Sequence, residues 1–239
     1  MSWLDELLFP RRCPVCQDIV TPWGKMVCDT CRKKLRPVGD RGCFQCGRLL
    51  LNGEREYCED CLRMERKIIR GLVGYDYREE WVHKMIFQVK YNNARQLLDD
   101  PCSEAAQSYQ RIIESWRCDC LIPVPLHPSK RRKRGFNQAE EIARRVGAVW
   151  NLPTDVKVLS RVKKTLPQKR LGVTSRQSNL KDAFVADVKQ ASHYNRVILV
   201  DDIYTTGSTM EECAKALLSV GVTNIYSFSL TAGRDETIS

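Results

Sequence analysis

The chain has 239 residues, 43% apolar and 28% charged, with 39 Lys and Arg against 29 Asp and Glu for a net charge of +10. These values fit one or two ordinary globular domains and exclude a disordered or collagen-like chain, and no apolar run approaches the roughly 20 residues of a membrane-spanning helix. The basic excess points to an anionic partner, either nucleic acid or a phosphorylated small molecule.

Met1 to Pro10 carries two acids, no basic lead and no long apolar stretch, so it does not read as a secretory signal. Trp3, Leu4, Leu7 and Leu8 mark one face of a short amphipathic helix. The expected compartment is the cytoplasm, where thiols stay reduced and clustered cysteines read as metal ligands before disulfides. Eight of the twelve cysteines follow within the first 61 residues, as Cys13-x2-Cys16, Cys28-x2-Cys31, Cys43-x2-Cys46 and Cys58-x2-Cys61. Eleven residues separate successive pairs, so the array repeats with a period of 30 and reads as a duplicated unit. Each unit supplies four thiolates, the ligand set of a closed, structural Zn²⁺ site. Two ions are expected. They are held sequentially, by Cys13, Cys16, Cys28 and Cys31 and by Cys43, Cys46, Cys58 and Cys61, or in a crossed pairing of the first knuckles with each other. Iron–sulfur ligation and disulfides suit the even spacing and a reducing compartment less well. The segment holds few apolar residues, so metal is expected to supply much of its folding energy. Cys102, Cys118, Cys120 and Cys213 lack metal spacing and read as small buried side chains.

Beyond residue 70 the pattern changes. Leu72–Tyr77 reads as a strand, and Trp81, Met85 and Val89 mark one face of a helix. A second helix spans Leu97 to Trp116, with Pro101 near its start, and Cys120–Val124 is a short buried strand ending in prolines. Asn137 caps a helix over 138–150. Val197–Val200 is a continuous apolar strand of the kind found in buried parallel sheets. The helix Ser208–Val220 closes at Gly221, and Asn224–Leu230 is the next strand. The alternation predicts an α/β fold: a doubly wound parallel sheet over residues 68–239, preceded by a small zinc-ribbon domain over residues 1–67.

Charge is uneven along this chain. Residues 127–196 hold 17 Lys and Arg against 5 acids, and the remaining residues hold 22 against 24. The concentration suits a polyanion or phosphate site. Aromatics within it are few (Phe136, Trp150, Phe184 and Tyr194), so no stacking platform for single-stranded nucleic acid is evident.

The most informative stretch is Val197-Ile198-Leu199-Val200-Asp201-Asp202-Ile203-Tyr204-Thr205-Thr206-Gly207-Ser208-Thr209. An apolar strand ends in two carboxylates, and a hydroxyl-rich loop then opens a helix. Gly207 lets backbone approach a phosphate, and the first N–H groups of the helix point at it. Two carboxylates would repel that phosphate, so they suit a sugar diol or Mg²⁺ on the same ligand. No P-loop or dinucleotide fingerprint occurs. The expected ligand is a phosphorylated ribose.

These thirteen positions closely resemble the phosphoribosyl pyrophosphate (PRPP) signature of type I phosphoribosyltransferases. The resemblance implies that Asp201 and Asp202 bind the ribose hydroxyls and that Thr205, Thr206, Gly207, Ser208 and Thr209 bind the 5′-phosphate, with Mg²⁺ accompanying PRPP. Ile122 to Pro128, running into Arg131, Arg134 and Gly135 to Ala139, resembles a motif of the ComF family. That likeness implies a strand-end loop, Val124, Pro125, Leu126 and His127, in contact with pyrophosphate, with Arg131 and Arg134 on anionic groups. His127 also reads as a turn residue between prolines. Leu159, Arg161, Thr165, Gln168, Leu171, Arg176, Asn179 and Leu180 with Ala183 and Phe184 resemble that family's next block, where type I enzymes place a basic lid. Lys90 resembles a family lysine. A zinc-ribbon array ahead of the phosphoribosyltransferase domain is also the ComF arrangement, so the likeness covers nearly the whole chain. It implies a part in DNA uptake during natural competence, beside a competence helicase, with the zinc module docking protein or nucleic acid and the basic segment contacting single-stranded DNA. Three functions stand from the sequence: a DNA-uptake accessory protein, an active phosphoribosyltransferase releasing pyrophosphate onto an unidentified acceptor, and a PRPP sensor without turnover. No general base is assigned.

Overall fold

A computed structural model of the chain describes residues 10, 12–21, 25, 27–34, 36–163 and 182–234. The expected helix around Trp3 to Leu8 lies outside these residues, as do Thr165, Gln168, Leu171, Arg176, Asn179 and Leu180.

The four predicted strands form one sheet. They are β1 (Arg70–Asp76), β2 (Cys120–Pro123), β5 (Arg196–Tyr204) and β6 (Asn224–Ala232), all parallel in the order β1-β6-β5-β2. Both faces are covered, which is why these strands read as unbroken apolar runs. Successive side chains point to opposite faces, so Ile198 and Val200 of β5 join one core while Val197 and Leu199 join the other.

The first core is built by helices α3 (Glu80–Tyr91), α4 (Asp99–Trp116) and α6 (Gln138–Trp150), through Met85, Ile86, Ala105, Tyr109, Ile142 and Val146. A 3-10 turn at Arg95–Leu98 leads into α4, so the predicted second helix begins as two pieces, with Pro101 in the first α-turn, where its missing N–H costs nothing. The Asn137 side chain accepts from Ala139 N–H at 3.2 Å and starts α6, as expected. The second core is closed by α8 (Ser208–Leu218), through Met210, Cys213 and Leu217, and by a two-stranded antiparallel hairpin, β3 (Leu159–Arg161) with β4 (Phe184–Ala186). A single turn of helix, α7 (Val188–Ala191), follows the hairpin.

The basic run, where no apolar periodicity predicts a helix, forms α5 (Pro128–Arg134). Its ends explain it. His127 accepts from Ser129 N–H, Pro128 occupies the first helical position with its φ already set, and Gly135 closes the C-terminus at φ +80°.

The duplication in the cysteine array is also a structural repeat. The turns at Gln17 and Gly47 both take positive φ (68° and 75°), and the bridges Arg12 to Ile19 and Gly42 to Leu49 stand thirty positions apart. Each second knuckle opens a short helix, α1 (Asp29–Arg32) or α2 (Glu59–Arg63). The two units straddle the exposed edge of the sheet. Val20 and Val27 of the first belong to the core of α3 and α4, while Val38 and Leu50 belong to the core of α8. Between them, Val38 N–H donates to Gly74 O and Gly71 N–H donates to Gln45 O, each at 2.8 Å, so the array covers the free rim of β1. The apolar surface that this segment lacks by itself is thus supplied by the sheet. Among the described residues, no helix is long and apolar enough to cross a membrane.

Candidate functional site

The cysteines gather into two tetrads in the sequential arrangement: Cys13, Cys16, Cys28 and Cys31, and Cys43, Cys46, Cys58 and Cys61, with all ligand atoms of a set within 4.8 Å of one another. The Cys16–Cys28 and Cys46–Cys58 sulfurs are 3.6 Å apart. A tetrahedral Zn²⁺ with Zn–S bonds of about 2.3 Å has sulfur–sulfur edges of roughly 3.8 Å, so four thiolates gathered on this scale suit the ion in both sets. All twelve cysteines are free thiols, and Cys102, Cys118, Cys120 and Cys213 are buried.

The second cluster of chemistry lies at the carboxyl ends of β2 and β5. These neighbouring strands hand the chain to helices on opposite faces of the sheet, β2 to α6 and β5 to α8, and in open α/β sheets the loops part at such a point into a ligand crevice. Asp201 and Asp202 lie within β5, which runs two residues further than the sequence suggests, with Ile203 and Tyr204 still paired to β6. Asp202 N–H donates to Asp201 Oδ1 at 2.8 Å, and Lys90, from the last turn of α3, meets Asp202 Oδ2 at 2.5 Å. The Lys90 and Asp202 side chains are 17% and 16% exposed. Their environments drive the two carboxyls apart. Burial, then the neighbouring Asp202 charge, pushes Asp201 well above the usual carboxylate range. Burial acts the same way on Asp202, but the Lys90 ammonium outweighs it and holds that carboxyl low.

The loop after β5 turns at Gly207, whose φ of +79° is the left-handed conformation glycine adopts without strain. A side chain there would also strike the Tyr204 hydroxyl. Thr206 Oγ1 and Ser208 Oγ share a hydrogen bond of 2.8 Å, and Glu211 N–H donates back to Gly207 O at 2.9 Å. The first N–H groups of a helix have no partner within it, the feature by which helix starts bind anions; here Ser208 N–H lies 3.5 Å from Thr206 Oγ1.

Across the crevice, Val124 N–H donates to Val200 O at 2.8 Å, which sets Val124 to His127 next to Asp201. The Asn137 amide donates to Val124 O at 3.0 Å and ties this loop to the cap of α6. His127 is the N-cap of α5: its Nδ1 lies 3.2 Å from Ser129 N and 2.8 Å from Ser129 Oγ. Arg131 is largely exposed and bridges to Glu140 at 3.3 Å, on the outer side of α5. Arg134 donates to Gln138 Oε1 at 3.0 Å and bears on Asp202. Lys130, one turn before Arg134, faces inward. Burial, then Arg161, Arg134 and Lys90, lowers its ammonium from the ordinary lysine value. Burial likewise lowers Arg161, which lies beside Asp201. Lys90 thus contacts the diacid, Arg134 and Arg161 act on it, and Lys130 lies among these three, the four cations coming from α3, α5 and β3.

Two contributions are invisible to sequence reasoning because they come from distant segments. Phe87 and Tyr91 of α3 stand exposed as a ring pair 4.9 Å apart, with the Arg134 guanidinium 5.8 Å from the Tyr91 ring. Arg48 and Arg66 reach over from the second ribbon: Arg48 Nη2 donates to Thr205 O at 2.5 Å and Arg66 Nη1 to Thr206 O at 3.3 Å. The spacing of Lys130 and Arg134, one helical turn apart, is the one signal that could have found the inward pair, given a helix at the basic run.

Comparison with known proteins agrees with this geometry. Residues 4–62 match the double zinc ribbon domain and residues 132–238 the phosphoribosyl transferase domain. The chain is 30% identical over 230 residues to Competence protein F of Haemophilus influenzae, covering 93% of this chain and 97% of that protein. It is 27% identical over 237 residues to DNA utilization protein YhgH of Salmonella typhi (94% and 98% covered), and 25% over 211 residues to Competence protein ComFC of Bacillus subtilis (85% and 83%). The tetrads, the parallel sheet and the coverage of whole relatives agree: the chain belongs to the ComF family, a double zinc ribbon joined to a phosphoribosyltransferase-type domain.

Proposed function

We propose that the crevice at the ends of β2 and β5 binds PRPP with Mg²⁺, and that the protein acts through this site in DNA uptake during competence. One observation carries the ligand: two adjacent carboxylates, one raised well above the usual range by burial and one paired with Lys90, lie just before the Gly207 turn and the start of α8, with Lys130, Arg134 and Arg161 close by. A diol with phosphates at both ends fits that mixture. In this reading Asp201 and Asp202 take the ribose hydroxyls, residues Thr205 to Thr209 the 5′-phosphate, and the loop Val124 to His127 with Lys130 and Arg134 the pyrophosphate. Mg²⁺ would neutralise pyrophosphate charge beside the diacid.

The DNA part follows the names of the relatives, one a competence protein and one a DNA utilization protein. Local features support it. Arg131, Arg132 and Lys133 line the exposed side of α5, and the Phe87–Tyr91 pair lies beside Arg134. Cations that follow a backbone, next to aromatic faces that accept any base, are the ingredients of single-strand binding. A cytoplasmic setting keeps the tetrad thiols available to zinc.

The test is calorimetric titration of the zinc-loaded protein with PRPP and Mg²⁺, beside the double variant Asp201→Asn/Asp202→Asn. Wild-type binding weakened at least about 10-fold in the variant supports the site, the loss expected when charged hydrogen-bond partners are removed. No wild-type binding overturns it. Pyrophosphate assayed in the same samples separates the roles: release with an added acceptor marks a phosphoribosyltransferase, and binding without release marks a sensor.

A further inference from the structure

We propose that Arg48 and Arg66 of the second zinc ribbon are positioning residues for the anion loop, so that an intact ribbon and anion binding are thermodynamically coupled. The inference rests on the phosphate reading of that loop and adds to it the element that shapes it.

The peptide bond is planar and trans, so a C=O and the N–H of the next residue point in opposite directions. Thr205 O is held by Arg48 Nη2, and Thr206 O by Arg66 Nη1 at 3.3 Å. Both carbonyls are therefore turned toward the ribbon, and the N–H groups of Thr206 and Gly207 are turned away from it. A loop that offers N–H groups to an anion must dispose of its carbonyls in this way, and here two guanidinium groups receive them.

The arginines are themselves fixed by the ribbon. Arg48 lies two residues after Cys46, its side chain is 11% exposed, and its Nη1 pairs with Asp60 Oδ2 at 2.9 Å. Its guanidinium also stands 5.6 Å from the Tyr204 ring. Arg66 lies five residues after Cys61 and has that sulfur as a neighbour. Its Nη1 would be 3.0 Å from any Cβ placed on Gly207, so the loop packs directly on it. A third tie, Lys67 N–H to Glu211 Oε2 at 2.9 Å, joins the same segment to the first turn of α8. Cys46, Asp60 and Cys61 all belong to the second tetrad or to the helix carrying it, so that knuckle sets where both guanidinium groups sit. Four thiolates around Zn²⁺ also leave a net negative centre that buried guanidinium groups offset.

Coupling of this kind is reciprocal. The zinc-loaded full chain would be titrated with PRPP and Mg²⁺, and with ribose 5-phosphate, for wild type, Arg48→Met, Arg48→Lys, Arg66→Met and the control Arg63→Ala, an exposed ribbon arginine that pairs with Glu59 on its own helix. Circular dichroism and two zinc ions per chain would establish that each variant is folded. Affinity should fall about 10-fold in each Met variant, a typical allosteric coupling, and less in Arg48→Lys, with no change in Arg63→Ala. Ribose 5-phosphate should slow zinc transfer to a chromogenic chelator for one ion of the two in wild type, and not in the Met variants. Without ligand, ¹⁵N relaxation of residues 205–208 should show order parameters near 0.85 in wild type and toward 0.6 in the variants, approximately the rigid and flexible limits. Folded Met variants with wild-type affinity and wild-type loop order overturn the inference. Absence of PRPP binding in wild type would overturn the proposed ligand instead, and the relaxation data would still decide whether the arginines hold the loop.

Discussion

Replacing Lys90 by Met tests the electrostatic frame of the crevice directly. Met keeps most of the stem volume and removes the ammonium that contacts Asp202 Oδ2 at 2.5 Å. A pair this enclosed is not a surface ion pair of about 0.5 kcal/mol; losing one partner of a buried pair typically costs about 3–5 kcal/mol. A second argument caps the loss. The stranded carboxylate can take up a proton, and at 1.4 kcal/mol per pH unit from a reference pKa near 4 this costs about 4 kcal/mol at pH 7 but only about 1.5 kcal/mol at pH 5. Arg134 also bears on Asp202 and offsets part of the loss. The expected destabilisation is therefore about 2–4 kcal/mol at pH 7, shrinking to about 1 kcal/mol at pH 5. The pH dependence belongs to the variant. In wild type the Lys90 ammonium holds Asp202 low, so its contribution is fully present above the unfolded carboxyl value near 3.8 and is the same at pH 5 and pH 7. Without the ammonium, burial raises the carboxyl, so the variant loses stability as pH rises above that value. Urea unfolding of zinc-loaded wild type, Lys90→Met, Asp202→Asn and the double variant at both pH values gives the coupling as a cycle. Equal stability of Lys90→Met and wild type at pH 7, or a deficit that does not change with pH, would refute the reasoning.

Asp201 should behave in the opposite sense. Burial raises its carboxyl, so its contribution is complete below about 3.8 and is lost as pH rises through the folded value. Asp201→Asn should match wild type near pH 4 and become the more stable protein by pH 7, as read from urea midpoints. Gly47→Ala should destabilise by more than about 2 kcal/mol, since the left-handed φ alone costs about 1–2 kcal/mol and the new Cβ would meet Leu72 Cα and Val73 N at 2.7 Å; thermal unfolding and the rate of zinc release would both report it. Asn137→Ala removes a helix cap and strands the buried Val124 carbonyl, for an expected loss of about 2 kcal/mol by urea unfolding. If α5 tracks a single strand of DNA, Arg132→Ala/Lys133→Ala should flatten the salt dependence of binding by about 1.4 in log–log slope, and an unchanged slope would remove those residues from the interface.

The elements most legible in the sequence were those whose burial is set by their own periodicity. Val197 to Val200 is apolar at every position because both faces are covered, and Ile142, Val146 and Trp150 share a stripe because α6 has one buried face. The cysteine spacing was legible for a different reason, since metal ligation leaves a fixed interval in the chain. The basic helix was not legible by pattern: α5 buries no residue fully, and its helical state comes from His127, Pro128 and Gly135 at its ends. Without that helix the inward side of Lys130-Arg131-Arg132-Lys133-Arg134 cannot be assigned, so Arg131 looked equivalent to Arg134 and Lys130 was passed over. The hairpin of β3 and β4 was missed because its strands are three residues each, too short for an alternating pattern to register. The contacts of Arg48 with Thr205 and Arg66 with Thr206 span 157 and 140 residues and leave no trace in local sequence.

The two halves of the duplicated array also have different neighbours, and their sequences differ where those neighbours differ. The repeat of 30 places Asp18 opposite Arg48 and Thr30 opposite Asp60. The first unit therefore lacks the Arg–Asp pair that the second directs at the loop after β5. In its place the first unit accepts from Lys84 Nζ at Val15 O, 3.0 Å away, and offers Arg32 to Glu104 at 3.4 Å, both contacts with the outer helices α3 and α4. A duplication that served only to bind metal would keep equivalent surfaces in both copies. Here the ligand geometry is common to both units and the guanidinium chemistry belongs to one. An anion loop binds most tightly when its ordering cost is met before the ligand arrives, and loops have little packing of their own with which to meet it. The second ribbon, pinned by its metal and by its seat on β1, supplies that rigidity to residues 205–207 while the first fastens the pair to the helical face.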